Sequence, residues 1–328
     1  MSQAQRRRFL VATGALLAAP FARAQPAGQV HRIGFLGNST AALEANLVAP
    51  FREGLRDLGH LEGRNSVIEF RWAEGDYERF PALIAELAAR KVEVIVTAGT
   101  PAALAAKKAA PSIPLVMVAV GDPVATGLVA SLARPGGNIT GVSSIAPELE
   151  GKRLQLLREV FPKLSHVSVL WNPRNPFHVG SVTQTRAAAQ ALRIAVTFLG
   201  AQSTGEVLAA LAVMAKERPQ ALVVLADRVF LHERARIVDF AAKNHMLTVA
   251  THQELVDAGG LMSFGPNYPD MHRRAAVYVD KILKGAKPSE LPIEQPTKFE
   301  IVINLRTARL LDLKIPGSIL QRADRIIE

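Results

Sequence analysis

The stretch 97-TAGTPAALAAKKAA-110, with 92-VEVIV-96 just before it, decides how the chain is read. The first run is short and β-branched and reads as a buried strand. The second is alanine-rich and a good helix former, and the four residues Thr97-Ala98-Gly99-Thr100 turn one into the other. Thr100 is expected as the N-cap and Pro101 as the first helical residue. A helix that starts at the carboxyl end of a strand presents unpaired N–H groups and a partial positive charge, a natural seat for an anion. The anion is not set by these residues. A phosphate-cradling loop needs G-x-x-x-x-G-K-[ST], but Gly99 has no such partner, and Lys107 and Lys108 lie two turns into the helix.

The same strand-to-helix unit recurs in both directions. Strand-like runs at 32–37, 67–72, 92–97, 114–120 and 139–144 alternate with helical runs at 40–58, 78–90, 101–109 and 124–133. A second set follows, with strands at 166–171, 194–199, 221–226 and 246–251 and helices near 176–192, 205–217 and 231–244. The first strand of each set ends in a polar loop with asparagine, Asn38-Ser39 and Asn172 to Asn175. From Ile33 to Ile95 to Val116 the steps are 62 and 21, and from Val167 to Val223 to Thr248 they are 56 and 25. This plan predicts an α/β fold of two doubly wound parallel-sheet lobes. The remaining segments, 259–268, 270–284 and 299–304, read as return crossings between lobes, with the proline-rich 286–296 among them, and make a hinge suited to closure.

Open parallel sheets bind ligands beyond the carboxyl ends of their strands. The loops expected to line one cleft are therefore Asn38-Ser39, Ala98-Gly99-Thr100, Gly121-Asp122, Asn172 to Phe177, and Asp227-Arg228. Asp227 is suited to accept an ammonium, or to cap the helix after it. Asp122 suits a capping and hinge-lining role. Asn172 and Asn175 are polar contacts or plain turn residues around Pro173. Phe177 and Phe264, like Trp171 and Tyr268, are aromatics near strand ends, placed to stack on a ligand or to pack the core.

Length and composition narrow the function. With 328 residues, 49% hydrophobic and 21% charged, the chain is globular and long enough for two domains. No run of 18 apolar residues occurs, so no membrane span is expected. Residues 6-RRRFL-10, a modestly apolar stretch and 22-ARA-24 give the plan of an export signal over 1–24. Arg6-Arg7-x-Phe9-Leu10 resembles a twin-arginine signal, the alternative being a Sec signal. Leaving out Arg6, Arg7, Arg8 and Arg23 leaves 35 basic against 29 acidic residues, so the formal charge falls from +10 to +6. What remains is scattered, so no nucleic-acid partner is expected. The chain has no cysteine, and its eight histidines form no H-x-x-x-H pair, so neither a metal nor a thiol site is expected. Ser143 and Ser263 lack a G-x-S-x-G elbow, and no cofactor motif is present.

Three stretches taken together, 97-TAGTPAA-103, 120-VGDPVATGLVASLARPGGNITGVSS-144 and 254-ELVDAGGLMSFGPNY-268, resemble the ABC-transporter substrate-binding proteins typified by tryptophan- and tyrosine-binding lipoproteins. The resemblance runs from about Ile33 to the end. It implies the type I periplasmic binding protein fold, with three crossovers and a ligand cleft between lobes at 30–145 plus 266–295 and at 146–265 plus 296–328. It further implies no catalysis and no cofactor. The expected role is capture of a small carboxylate ligand, an aromatic amino acid or related compound, for an ABC permease of the inner membrane. Ala98-Gly99-Thr100 then matches the loop that holds the carboxylate. Many relatives carry a cysteine at the cleavage site; without one, a monomeric, soluble periplasmic protein with no lipid anchor is expected. The other class left open is an exported enzyme or sensor component on the same fold.

Overall fold

The computed structural model describes residues 30–144 and 149–328, so the export signal expected over 1–24 lies outside the described residues. Five strands form the first sheet: β1 (His31–Gly37), β2 (Ser66–Trp72), β3 (Val94–Ala98), β4 (Leu115–Val120) and β5 (Ile139–Ser143). They are all parallel, in the order β2-β1-β3-β4-β5. Seven form the second: β6 (His166–Trp171), β7 (Ala195–Gly200), β8 (Ala221–Val224), β9 (Leu247–Ala250), β10 (Met262–Pro266), β11 (Phe299–Asn304) and β12 (Arg325–Ile327). Their order is β12-β11-β10-β9-β8-β6-β7, so the five strands β7-β6-β8-β9-β10 repeat the first sheet's order. Only the β10–β11 pair is antiparallel. The spacing match read from the sequence is thus a topological repeat.

The central strands β3, β4, β8 and β9 are buried along their whole length, as expected of strands covered on both faces. The chain passes between the sheets three times. It leaves β5 for the second sheet and leaves β10 for the helix Tyr268–Leu283. Finally it returns past Glu294, which is bridged to Val142, into β11. The helix Tyr268–Leu283 packs on the helix Ala45–Asp57 of the first lobe, closely enough that a Cβ at Gly54 would stand 2.8 Å from that of Ala276. One buried apolar cluster runs from Phe35, Val96 and Val118 across to Val224, Val229 and Phe230, so it draws on both lobes.

Three local expectations need correction. Residues 124–133 are not helical. Asp122 caps a single turn there, accepting from the N–H groups of Val124 (3.0 Å) and Ala125 (2.9 Å), and Gly127 at φ +71° ends it. The helix expected over 231–244 is two, Arg228–His232 and Arg234–Lys243, divided at Glu233. The opening helix, Thr100–Ala109, has Gly99 rather than Thr100 as its N-cap. Gly99 sits at φ +83°, ψ 153°, a conformation open essentially to glycine alone, which moves the helix start one residue forward.

Candidate ligand-binding site

Where the carboxyl ends of the two sheets meet, residues of both lobes enclose a cavity of about 20 Å³, room for a single water molecule. From the first lobe come Tyr77, Gly99, Thr100, Pro101, Ala119, Gly121 and Ser144. From the second come Asn175, Phe177, Ala226, Asp227, Arg228 and His252, with Tyr268 at a crossing.

Each wall is built by its strand end. Between Val118 and Val120 the register of β4 against β5 slips, with Ala119 at φ +50°. Such a bulge re-aims the residues that follow it. Here it brings the Gly121 N–H to 3.1 Å from the Thr100 hydroxyl, which accepts it. Thr100 therefore ties two cleft loops together and does not cap its own helix. The Phe177 ring, at the start of the helix Phe177–Ala191, lies directly over Gly121: a Cβ added there would stand 2.1 Å from the ring's Cγ. Only glycine fits beneath that ring.

Asp227 follows β8 and is 3% exposed. Its Oδ1 accepts from the Tyr77 hydroxyl (2.8 Å), Asn172 Nδ2 (3.2 Å) and the Val229 N–H (3.0 Å), and its Oδ2 from Asn175 Nδ2 (2.9 Å). It is thus a helix cap, a fastener for the Asn172–Asn175 loop and a link between lobes at once. Burial and the Asp227 charge hold the Tyr77 hydroxyl well above its ordinary pKa, so it remains a donor.

Beside Asp227, Arg228 is 4% exposed and makes no hydrogen bond or ion pair among the described residues; its Nη1 is fully buried without a partner. The guanidinium stands 5.5 Å from the centroid of the Tyr268 ring. His252 packs on that same ring at 4.2 Å, and burial, aided by repulsion from Arg228, holds it well below its ordinary pKa and so neutral. Burial and Arg228 likewise hold His272 neutral, at about 3. The cavity's cation is therefore Arg228, among the described residues. Glu44 answers it from the first lobe. Burial raises the Glu44 pKa against the pull of Arg228, and its Oε1 accepts the N–H groups of Asn38 (2.9 Å) and Ser39 (2.6 Å).

Of the residues singled out from the sequence, Gly99, Thr100, Gly121, Asn175, Phe177 and Asp227 meet in the cavity. The others stand outside it. Asn38 and Ala98 hold the β1 and β3 ends together, Asn38 Nδ2 donating to the Ala98 carbonyl at 3.0 Å. Ser39 reaches across to His232, Oγ to Nδ1 2.7 Å. Asn172 braces Asp227, while Asp122 caps its turn and borders a separate groove of about 200 Å³ behind Phe177. The Phe264 ring packs toward Phe299, in the second lobe's core. Arg228 was expected only as part of a cleft-lining loop and Tyr268 only as a strand-end aromatic, while Tyr77 and His252 were missed by the sequence reading. Arg228, His252 and Tyr268 each lie within two residues of the end of β8, β9 or β10 or of the turn that follows, so the strand-end rule points at them too.

Residues 41–327 match the family model of the ABC transporter substrate binding proteins. This chain belongs to that family. It is 28% identical over 264 residues to a tyrosine-binding protein of Clostridioides difficile (strain R20291), covering 80% of this chain and 76% of the relative. An ABC domain from Streptococcus pneumoniae, solved in complex with L-Trp, superposes with a TM-score of 0.84 at 25% identity, over 91% of this chain and 100% of that one. The ligand-free, open structure of a substrate-binding protein with adhesive properties from Clostridium difficile has the same 25% identity, over 91% and 99%, but a TM-score of 0.63. At equal identity, this substrate-binding protein thus superposes better on the Trp-bound structure than on the open one. The narrow cavity and the ring seated on Gly121 agree with lobes that stand together. Among the described residues no helix is long and apolar enough to cross a membrane.

Proposed function

We propose that this protein is the solute-binding component of an ABC importer, and that it captures a small carboxylate-bearing ligand by closing two lobes over it in the periplasm. The observation that carries this is the cavity itself: strand-end loops of both lobes line it, and a buried guanidinium without a partner stands among them. The division into lobes at 30–145 plus 266–295 and at 146–265 plus 296–328 belongs to this reading, with the crossings as the hinge. The tyrosine and tryptophan named for the two relatives make an aromatic amino acid, or a compound like one, the first ligand to try. The chain would act as a monomer, hand its ligand unchanged to a membrane permease, and reach the periplasm through Arg6-Arg7.

A thermal-shift screen of amino acids and aromatic acids on the protein tests this. A ligand at 100 times its dissociation constant adds about 2.7 kcal/mol, a clear rise in melting temperature. If no small carboxylate raises it, the reading fails. Replacing Arg6 and Arg7 by lysine tests the export route: precursor held in the cytoplasm supports a twin-arginine signal, whereas normal export points to Sec.

A further inference from the structure

The polar groups around the cavity are unequally used. A carboxylate has about four acceptor positions, and Asp227 already takes four donors from the protein: the Tyr77 hydroxyl, Asn172 and the Val229 N–H on Oδ1, and Asn175 on Oδ2. The Asn175 Oδ1 already accepts from the Phe177 N–H at 3.2 Å. The acceptors left along the wall are neutral: the hydroxyl oxygens of Thr100 and Ser144, and one ring nitrogen of His252. On the donor side, the charge of Arg228 is 96% shielded from solvent with its Nη1 unpartnered. Glu44 attracts this charge without forming a hydrogen bond or ion pair to it; a buried cationic donor so left is costly, and a ligand anion relieves that cost. The ammonium of an amino acid is less well served, because the one carboxylate lining the cavity already holds four protein donors and keeps only a position on Oδ2.

We infer that the site selects its ligand by an anionic group held on Arg228, assisted by the Thr100 end of the helix Thr100–Ala109, and not by an ammonium held on Asp227. The ligand class is then aromatic monocarboxylates, with or without an α-amino group. This rests on the solute-binding reading and narrows it: Asp227 is a fastener of the closed form, and Arg228 is the specificity-determining residue.

Titration calorimetry with two matched sets decides the matter. The first set is L-tryptophan, 3-(indol-3-yl)propanoate and tryptamine; the second is L-tyrosine, 3-(4-hydroxyphenyl)propanoate and tyramine. In at least one set the propanoate should bind as tightly as the amino acid, within about threefold, while the amine binds at least about 30-fold more weakly. Arg228→Gln should weaken the propanoate by at least about 30-fold with the melting temperature of the free protein retained, and Arg228→Lys should recover part of the loss. If the amino acid binds 30-fold or more tightly than its propanoate, the ammonium is read and the inference is overturned while the solute-binding reading stands. The inference also falls if a folded Arg228→Gln binds the propanoate like the wild type. Should that variant not fold, the comparison within each set on the wild-type chain decides alone. If none of the six compounds binds, the aromatic-carboxylate reading and this inference fall together.

Discussion

Gly121→Ala isolates the closure of the cleft in a single methyl group. The added Cβ would stand 2.1, 2.3 and 2.7 Å from Cγ, Cδ2 and Cδ1 of the Phe177 ring, well inside contact distance. The backbone at Gly121 is not in the left-handed region, so alanine brings no strain of its own. The whole cost therefore falls on the form in which the ring lies over residue 121. Overpacking of this kind costs about 1–3 kcal/mol, which weakens ligand binding by about 5- to 150-fold if the free protein is open and the complex closed. The assay is titration calorimetry on four proteins: wild type, Gly121→Ala, Phe177→Ala and the double variant. Because the three atoms nearest the added methyl all belong to the Phe177 ring, the two changes should couple by about 1 kcal/mol or more, the double variant losing less than the sum. The melting temperature of each free protein shows whether folding, rather than closure, has changed. Additive losses, or a Gly121→Ala protein that binds like the wild type, would refute the claim that the Phe177 ring rests on Gly121 in the complex.

Three further outcomes follow from the same geometry. Tyr77→Phe removes a hydrogen bond between the lobes to a charged acceptor, so binding should fall by about 10- to 100-fold, and an unchanged affinity in calorimetry would count against this link. Thr100→Val strands the buried Gly121 N–H and should cost about 1–3 kcal/mol in urea unfolding, with Thr100→Ser tolerated; equal stability of all three would show that the bond is not made in solution. His272 stays neutral down to about 3 in the fold but takes up its proton near 6.5 when unfolded. Its contribution is therefore fully present above pH 6.5 and is lost as the pH falls from 6.5 toward 3, at about 1.4 kcal/mol per pH unit. His272→Asn keeps a donor for the Tyr268 carbonyl and should flatten that slope in unfolding measured from pH 7 to 5, whereas an unaltered slope would place the titration elsewhere.

Much of the fold could be read directly because its signals are local. The runs at β3, β4, β8 and β9 are apolar over strand length but for Thr97 and Thr248, and they alternate with helix-forming runs, so the parallel sheets and their repeat follow from pattern. Local signals misled where backbone freedom decided the outcome. Residues 124–133 have helical composition, but Gly127 and the Asp122 cap make a turn of them. Thr100 has the chemistry of a cap, but Gly99 takes the position because it can adopt φ +83°. The site was half legible for a related reason. The strand-end rule finds loops, so Thr100, Gly121 and Asp227 were in view. Which side chains of a loop turn inward depends on partners outside that loop: Tyr77 is drawn in by Asp227, 150 residues on, and the Tyr268 ring packs at a tilt on His252. Phe264, equally near a strand end, turns instead toward Phe299.

The central claim is that two lobes close on a small carboxylate and release it unchanged. Small-angle X-ray scattering, recorded while the best acid from the screen is titrated in and recovered afterwards, tests it most directly. The radius of gyration should shrink with saturation toward the value calculated from the structure, with all of the acid recovered intact. A radius that stays constant through saturation, or an acid consumed in the course of the titration, would contradict it.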